Sequence, residues 1–358
     1  MTTLPEIFEK AYAGDRLSPT EGLQLLKEAD LFSLGALANF IREKKSNASK
    51  ITFVVDRNIN YTNVCIYDCK FCGFYRKPGD KEGYLWTKNE IFEKIEQLEK
   101  LGGTQLLIQG GVNPALGLDF FADLFKSIKA RFPGMQIHSL SPVEIEYVAR
   151  KEKMTIRDVL IKLREAGLDS VPGGGAEILV DRVRDIISPR KKEKIWFDVM
   201  RTVGELGMKG SASMVYGMIE TLEERIEHLV KIRQLQDETN VFRAFICWSF
   251  KADASTTELQ LPESSGSEYL RMLAISRIIL DNFDHIQAGW LTETVKLAQL
   301  ALAFGADDMG GILLEDEVMG AVGVHIDVAI SDMLHNIRQT GKAPIQRNTK
   351  YEHIRAFN

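Results

Sequence analysis

Apolar positions along the first 45 residues follow a helical spacing: Leu23, Leu25, Leu26, Leu31, Leu34, Leu37 and Ile41 stripe one side of a helix at steps near 3.6. Asp30 and Ser33 are both capping types, placed to start the second of these helices. From residue 51 the pattern changes to short apolar runs separated by longer amphipathic stretches. The runs cover 51–55, 105–108, 136–140, 168–171, 212–218, 243–248, 285–288 and, most weakly, 307–309. Helices are expected between them, near 89–101, 119–131, 155–166, 192–206, 222–237, 268–281 and 293–304. Gly102-Gly103, Gly167 and Gly207 stand where several of these helices should stop. Strand and helix in regular alternation imply a parallel sheet with crossover helices, and eight such units favour a closed (β/α)8 barrel of the α/β class. The domain reading is a helical extension over 1–48, a barrel over 49–325 and a tail over 326–358 packed on the barrel.

A chain of 358 residues has room for such a barrel as one domain, and no Pro- or Ser-rich linker divides it. Hydrophobic residues at 45%, charged residues at 27% and a net charge of −5 are those of an ordinary globular protein. No basic stripe with interleaved aromatics is present, so no nucleic-acid partner is expected. The short mixed run Arg190-Lys191-Lys192-Glu193-Lys194 reads as the solvated start of a helix. No apolar run approaches the length of a membrane span, and the first residues lack the apolar core of a signal peptide. Of the four cysteines, three fall within eight residues, which suits ligation in a reducing compartment; the expected location is the cytoplasm.

Those three, in Cys65-Ile-Tyr-Asp-Cys69-Lys-Phe71-Cys72, follow the first strand, at the end of the barrel where active sites form. Three close thiolates can hold three irons of a cubane and leave the fourth iron open. A zinc site completed by a distant His, or three unliganded thiols, are the competing readings; the fourth cysteine, Cys247, lies far along the chain. The spacing C-x-x-x-C-x-x-C with an aromatic before the last Cys resembles the radical S-adenosylmethionine (SAM) superfamily. The resemblance implies a [4Fe–4S] cluster on Cys65, Cys69 and Cys72. It also implies SAM bound at the open iron, its split into a 5′-deoxyadenosyl radical, and an external one-electron reductant such as flavodoxin or ferredoxin. In that superfamily Gln109-Gly110-Gly111, closing the second strand, meets the amino group of the cofactor.

Other polar groups recur at predicted strand ends. Pro172-Gly173-Gly174-Gly175-Ala176-Glu177 ends the fourth strand, and Glu177 could accept from a ribose or an ammonium group. Arg182 or Arg184 could pair with the cofactor carboxylate. Phe71 and Ser139 complete the cofactor candidates, while Glu220, Trp248, Gln287 and Trp290 are candidates for substrate contact. His138, Glu144, Asp307 and Asp308 are the candidate catalytic groups.

The run from Val55-Asp56-Arg57-Asn58 to Cys65, and on to Phe71-Cys72-Gly73-Phe74-Tyr75-Arg76, is more specific still. Together with Ser141-Pro142-Val143-Glu144-Ile145, Glu220-Thr221 and Leu235-Gln236-Asp237-Glu238-Thr239, it resembles the cyclic dehypoxanthinyl futalosine synthase family of the futalosine route to menaquinone. The implied reaction removes hydrogen from the ribose C4′ of dehypoxanthine futalosine. The carbon radical then attacks the attached benzoate ring, and loss of an electron and a proton restores aromaticity. In the last third Gln287-Ala288-Gly289-Trp290 and Leu313-Leu314-Glu315-Asp316 differ from the family's usual runs. Because strand ends there would touch substrate, an aminofutalosine synthase, a tyrosine-dependent deazaflavin-precursor synthase and a paralogue with another substrate stay open.

Overall fold

The computed structural model describes residues 2–252, 257–324 and 328–357. Three helices, Leu4–Ala13, Pro19–Glu28 and Leu31–Lys45, open the chain. Asp30 caps the third of them, accepting from the Phe32 and Ser33 amides at 3.1 and 2.9 Å, which satisfies two of the donors a helix start leaves free. The second and third of these pack on the long, largely buried helix Gly266–Ile279, and the first packs on them. Gly22 permits the approach, since a Cβ there would stand 2.5 Å from Ile279 Cδ1.

Strand β1 (Lys50–Val54) runs into β2 (Asp56–Ile59) with only Val55 between them. The strands β3 (Gln105–Ile108), β4 (Gln136–Ser139), β5 (Ser170–Val171), β6 (Lys209–Tyr216) and β7 (Phe242–Ser249) follow, then β8 (His285–Gln287), β9 (Asp308–Gly311), β10 (Ala343–Arg347) and β11 (His353–Ala356). From β2 to β9 each strand pairs in parallel with the next, and β9 pairs with β1. Since β1 and β2 are successive halves of one stave, the parallel sheet returns to its start. The barrel is the expected (β/α)8 fold, and all eight expected strands are present.

The expected boundary at 325–326 lies outside the described residues. Beyond it the chain contributes more than a tail: β10 lies parallel to β1, and β11 pairs antiparallel with β10. Residues 347–351 then cross the amino end of the barrel. There Thr349 donates to Gln136 Oε1 at 2.8 Å, Tyr351 stacks on His285 at 3.7 Å, and its hydroxyl accepts from Gln287 at 2.8 Å. This floor separates the interior from solvent at the end remote from the cysteines. No helix among the described residues is long and apolar enough to cross a membrane.

Candidate active site

The cysteines lie in the connection that leaves β2 at the carboxyl end of the barrel strands. Its shape is set by its own hydrogen bonds, which supply the partners that a strand or helix would otherwise give. Cys65 N donates to Arg76 O and Arg76 N to Asn63 O, both at 2.8 Å. The Asn63 side chain donates to Glu82 O at 3.0 Å and accepts from Tyr84 N at 2.8 Å. Cys72 N donates to Cys69 O at 3.1 Å, a turn that brings these two residues together. All three cysteines line one cavity of about 500 Å³ that runs down into the barrel.

Burial pushes the Cys69 thiol up, and the Cys72 thiol up to about 11. Thiols in such surroundings need positive charge nearby before they ionise. Lys191 provides it: buried, hydrogen-bonded to Cys69 and beside Glu177, it keeps its proton although burial alone opposes the charge. The expectation of a solvated helix start at 190–194 is therefore corrected at Lys191. Among the described residues no three His, Cys, Asp or Glu side chains converge on a single ion site. What the thiols share is the rim of a cavity, with a cation behind them. Soft, closely spaced thiolates with a compensating charge are a donor set that suits an iron–sulfur cluster.

Gly110 and Gly111 run directly beneath this loop. A Cβ on Gly111 would sit 2.3 Å from Val64 O, and one on Gly110 2.9 Å from Thr62 O, so no larger residue could pass there without moving the cysteines. Glu144 braces the pair. Its Oε1 accepts from the Tyr61 hydroxyl at 2.7 Å and from Gly110 N at 3.3 Å, while Oε2 accepts from Ser141 N and Oγ, each at 2.7 Å. Burial raises the Glu144 pKa, and both oxygens are spent on positioning.

Glu177 lines the cavity with its backbone in the left-handed region, at φ 40°. Arg184 ties its loop down, donating to Glu177 Oε2 at 3.2 Å, Ala176 O at 2.6 Å and Gly175 O at 3.1 Å. Two residues along a helix point to nearly opposite sides, so Arg182 faces outward and pairs with Glu224 at 2.6 Å. Arg182 is thus corrected as a cofactor candidate.

Phe71, Gln109, His138, Trp248, Gln287 and Trp290 all line the cavity with the cysteines, Gly110, Gly111, Glu144 and Glu177. Four further candidates are not among its walls. Ser139 follows inward-facing His138, so strand alternation turns it away, and its hydroxyl donates to Ile108 O at 2.8 Å. Glu220 closes the turn after β6, accepting from Gly217 N at 2.6 Å and Arg225 Nε at 2.9 Å. Asp307 is locked to Arg277 and His285 at 2.5 and 2.6 Å, pairings that hold its carboxyl below the usual range against the effect of burial. Asp308 takes both a bidentate pair from Arg347, at 2.5 and 2.9 Å, and the Thr52 hydroxyl at 2.5 Å.

His138 is the remaining catalytic candidate. Burial first, then the nearby Arg243 and Arg347, pull its pKa down to about 3, so the ring is neutral, with Nδ1 2.7 Å from Ser170 Oγ. Several wall residues were not singled out from the sequence. Asp56 and Asn58 on β2 and Asn60 just beyond it present a polar face, and their spacing at every second residue was a legible signal. Asp56 accepts from Leu313 N at 2.8 Å and Gln105 Nε2 at 3.1 Å, and burial lifts its pKa to about 6. Lys191, Arg243, Arg347 and Tyr351 also line the cavity, and nothing in local pattern marks them.

Comparison with known proteins agrees with this geometry. The model of the "Radical SAM superfamily" matches residues 59–232, and that of the "CofH/MqnC C-terminal region" matches residues 239–357, the part where local runs differ from the expected family pattern. The chain is 42% identical to the cyclic dehypoxanthine futalosine synthase of Halalkalibacterium halodurans, over 98% of this chain and 95% of that one. To the protein of the same name from Streptomyces coelicolor it is 40% identical, over 98% and 89%. The crystal structure of methylornithine synthase (PylB) superposes with a TM-score of 0.72 at 18% identity, covering 94% of this chain and 97% of that one, and so shares the fold. The chain belongs to the radical SAM superfamily, in the family that holds the cyclic dehypoxanthine futalosine synthases.

Proposed function

We propose that this enzyme closes dehypoxanthine futalosine into its cyclic product on the futalosine route to menaquinone. The observation that carries the reading is near-full-length identity to two synthases of that name, joined to three thiols on the rim of a barrel cavity. Members of the superfamily use a [4Fe–4S] cluster and SAM. Cys65, Cys69 and Cys72 are the residues to hold the cluster. When bound, the two groups supply a 5′-deoxyadenosyl radical able to take hydrogen from the ribose C4′ of the substrate.

The chain's own residues then bind, orient and move a proton. The backbone of Gly110-Gly111 would hold the amino group of the cofactor, Glu177 would accept from its hydroxyls, and Lys191, in place of Arg182, would supply the cation for its carboxylate. Phe71, Trp248 and Trp290 exclude water from the reacting carbon. Asp56 accepts the final ring proton. Its pKa near 6 is matched to a base working around neutrality, whereas the neutral His138 ring is too weak and Glu144 accepts four hydrogen bonds where Asp56 accepts two. The electron comes from a cytoplasmic donor of the flavodoxin or ferredoxin type.

The test is anaerobic turnover of the reconstituted enzyme with reductant, SAM and dehypoxanthine futalosine. Equal release of 5′-deoxyadenosine and cyclised product is expected. Cofactor cleavage that is instead stimulated by an aminofutalosine precursor or by tyrosine overturns the substrate.

A further inference from the structure

Four cationic side chains among the described residues line the cavity, and three already have partners. Lys191 is hydrogen-bonded to Cys69, Lys251 pairs with Glu263 at 2.7 Å, and Arg347 holds Asp308. Arg243 has no hydrogen bond or close ion pair among the described residues. The acidic groups in its field, the Tyr351 phenol first and then Asp169 and Glu352, are engaged elsewhere, with Gln287 at 2.8 Å, Lys129 at 2.7 Å and Asn348 at 2.6 Å. The wall carboxylates are equally occupied: Asp56 by Leu313 N, Glu144 by Tyr61, Glu177 by Arg184 and Asp316 by Asn58. Among the described residues none of these acids pairs with this guanidinium.

The backbone turns Arg243 toward the interior by an irregularity. Gly210 pairs with Phe242 and Ser211 with Ala244, so Arg243 is an extra residue with no opposite number on β6. Strict alternation would send either Arg243 or Ala244 outward, yet both line the cavity. A bulge that re-aims a side chain is a recurring device beside binding sites. Beside it lie the neutral His138 ring, whose Nε2 is 3.4 Å from Ser211 Oγ, and the Arg347 guanidinium, which is already paired with Asp308 and adds to the positive field. Arg243 is near the amino end of β7 and Trp248 five residues on, a span of about 16 Å at strand rise. The unpaired cation is therefore at the deep end, with the cysteines at the mouth.

We infer that Arg243 is the carboxylate-binding end of the substrate site and holds the benzoate group while the ribose lies toward the cysteines. The identification of benzoate rests on the substrate proposed above; the preference for an anion rests on the wall itself. A neutral terminus would leave the guanidinium desolvated and unpaired.

Saturation-transfer NMR on the whole chain, with benzoate and its neutral analogue benzamide as probes, tests the site without turnover. Wild type should transfer to benzoate and not to benzamide, Arg243→Gln should lose the benzoate signal, and Arg243→Lys should recover part of it. In kinetics Arg243→Gln should raise the KM for dehypoxanthine futalosine about 10- to 100-fold, the worth of a charge-assisted hydrogen bond, with SAM affinity unchanged. Equal transfer to both probes in wild type, or benzoate binding retained by Arg243→Gln, overturns the inference. Benzoate binding through Arg243 without turnover of dehypoxanthine futalosine would sink the substrate and keep the site. Turnover with a KM unmoved in Arg243→Gln would do the reverse.

Discussion

Replacing Asp56 by Asn should stabilise the protein at alkaline pH, and the structure sets how much. Asp56 is buried, makes no ion pair among the described residues although Arg347 is near enough to favour its charge, and has a pKa near 6 instead of 3.8. A carboxyl whose folded pKa is raised makes the native state bind protons more tightly than the unfolded chain. Its contribution to stability is then most favourable below 3.8, falls between 3.8 and 6, and stays at its lowest above 6. The full fall, at about 1.36 kcal/mol per unit, is about 3 kcal/mol. Asn keeps the hydrogen bond from Leu313 N and loses the one from Gln105, which costs about 1 kcal/mol. Asp56→Asn should therefore be about 2 kcal/mol more stable than wild type at pH 8. Near pH 5 the wild-type carboxyl is mostly protonated in the native state, and linkage shrinks that advantage by about 1.4 kcal/mol. Urea unfolding of both proteins at the two pH values measures this directly. A variant that is less stable at pH 8, or whose advantage ignores pH, would refute the assignment of a lone buried carboxylate.

Three other outcomes are expected. Ala at Cys65, Cys69 or Cys72 should abolish bound iron and visible absorption after anaerobic reconstitution, whereas Cys247→Ala, on β7 away from the rim, should retain both, as read by iron analysis. Gly111→Ala drives a methyl against Val64 O and should displace the cysteine loop, costing about 1–3 kcal/mol and weakening SAM binding at least tenfold in equilibrium titration. Arg347→Met leaves Asp308 buried and charged without its bidentate partner and should cost about 3–5 kcal/mol in urea unfolding, with most of that recovered when Asp308→Asn is added.

The barrel was legible because its staves are short apolar runs bounded by amphipathic helices, a pattern local enough to read from single segments. β2 escaped because the same rule fails at a functional stave: Asp56, Asn58 and Asn60 face inward and are polar because the interior there is a binding cavity. β10 escaped for another reason. Ala343-Pro344-Ile345-Gln346-Arg347 resembles a loop in isolation, and pairing with β1 and β11 makes it a strand. The cysteine triplet and the Gly pair were readable as spacing. Asp307 and Asp308 were misjudged because their partners, Arg277 and Arg347, come from distant segments. Arg182 and Lys191 were misjudged through helix phase and chain path, which charge runs do not encode.

The stave formed by β1 and β2 meets β9 along its first half and β3 along its second, and the cysteine loop issues from its end within a few residues. Metal retention and barrel integrity are therefore one mechanical problem. Breathing along that seam would drag the cysteine turn outward, and, if that turn holds the cluster as proposed, oxidative loss of iron would release the stave's far end. Amide exchange at residues 52–59 should quicken together with iron loss in air, so that oxygen damages the scaffold as well as the chemistry it carries.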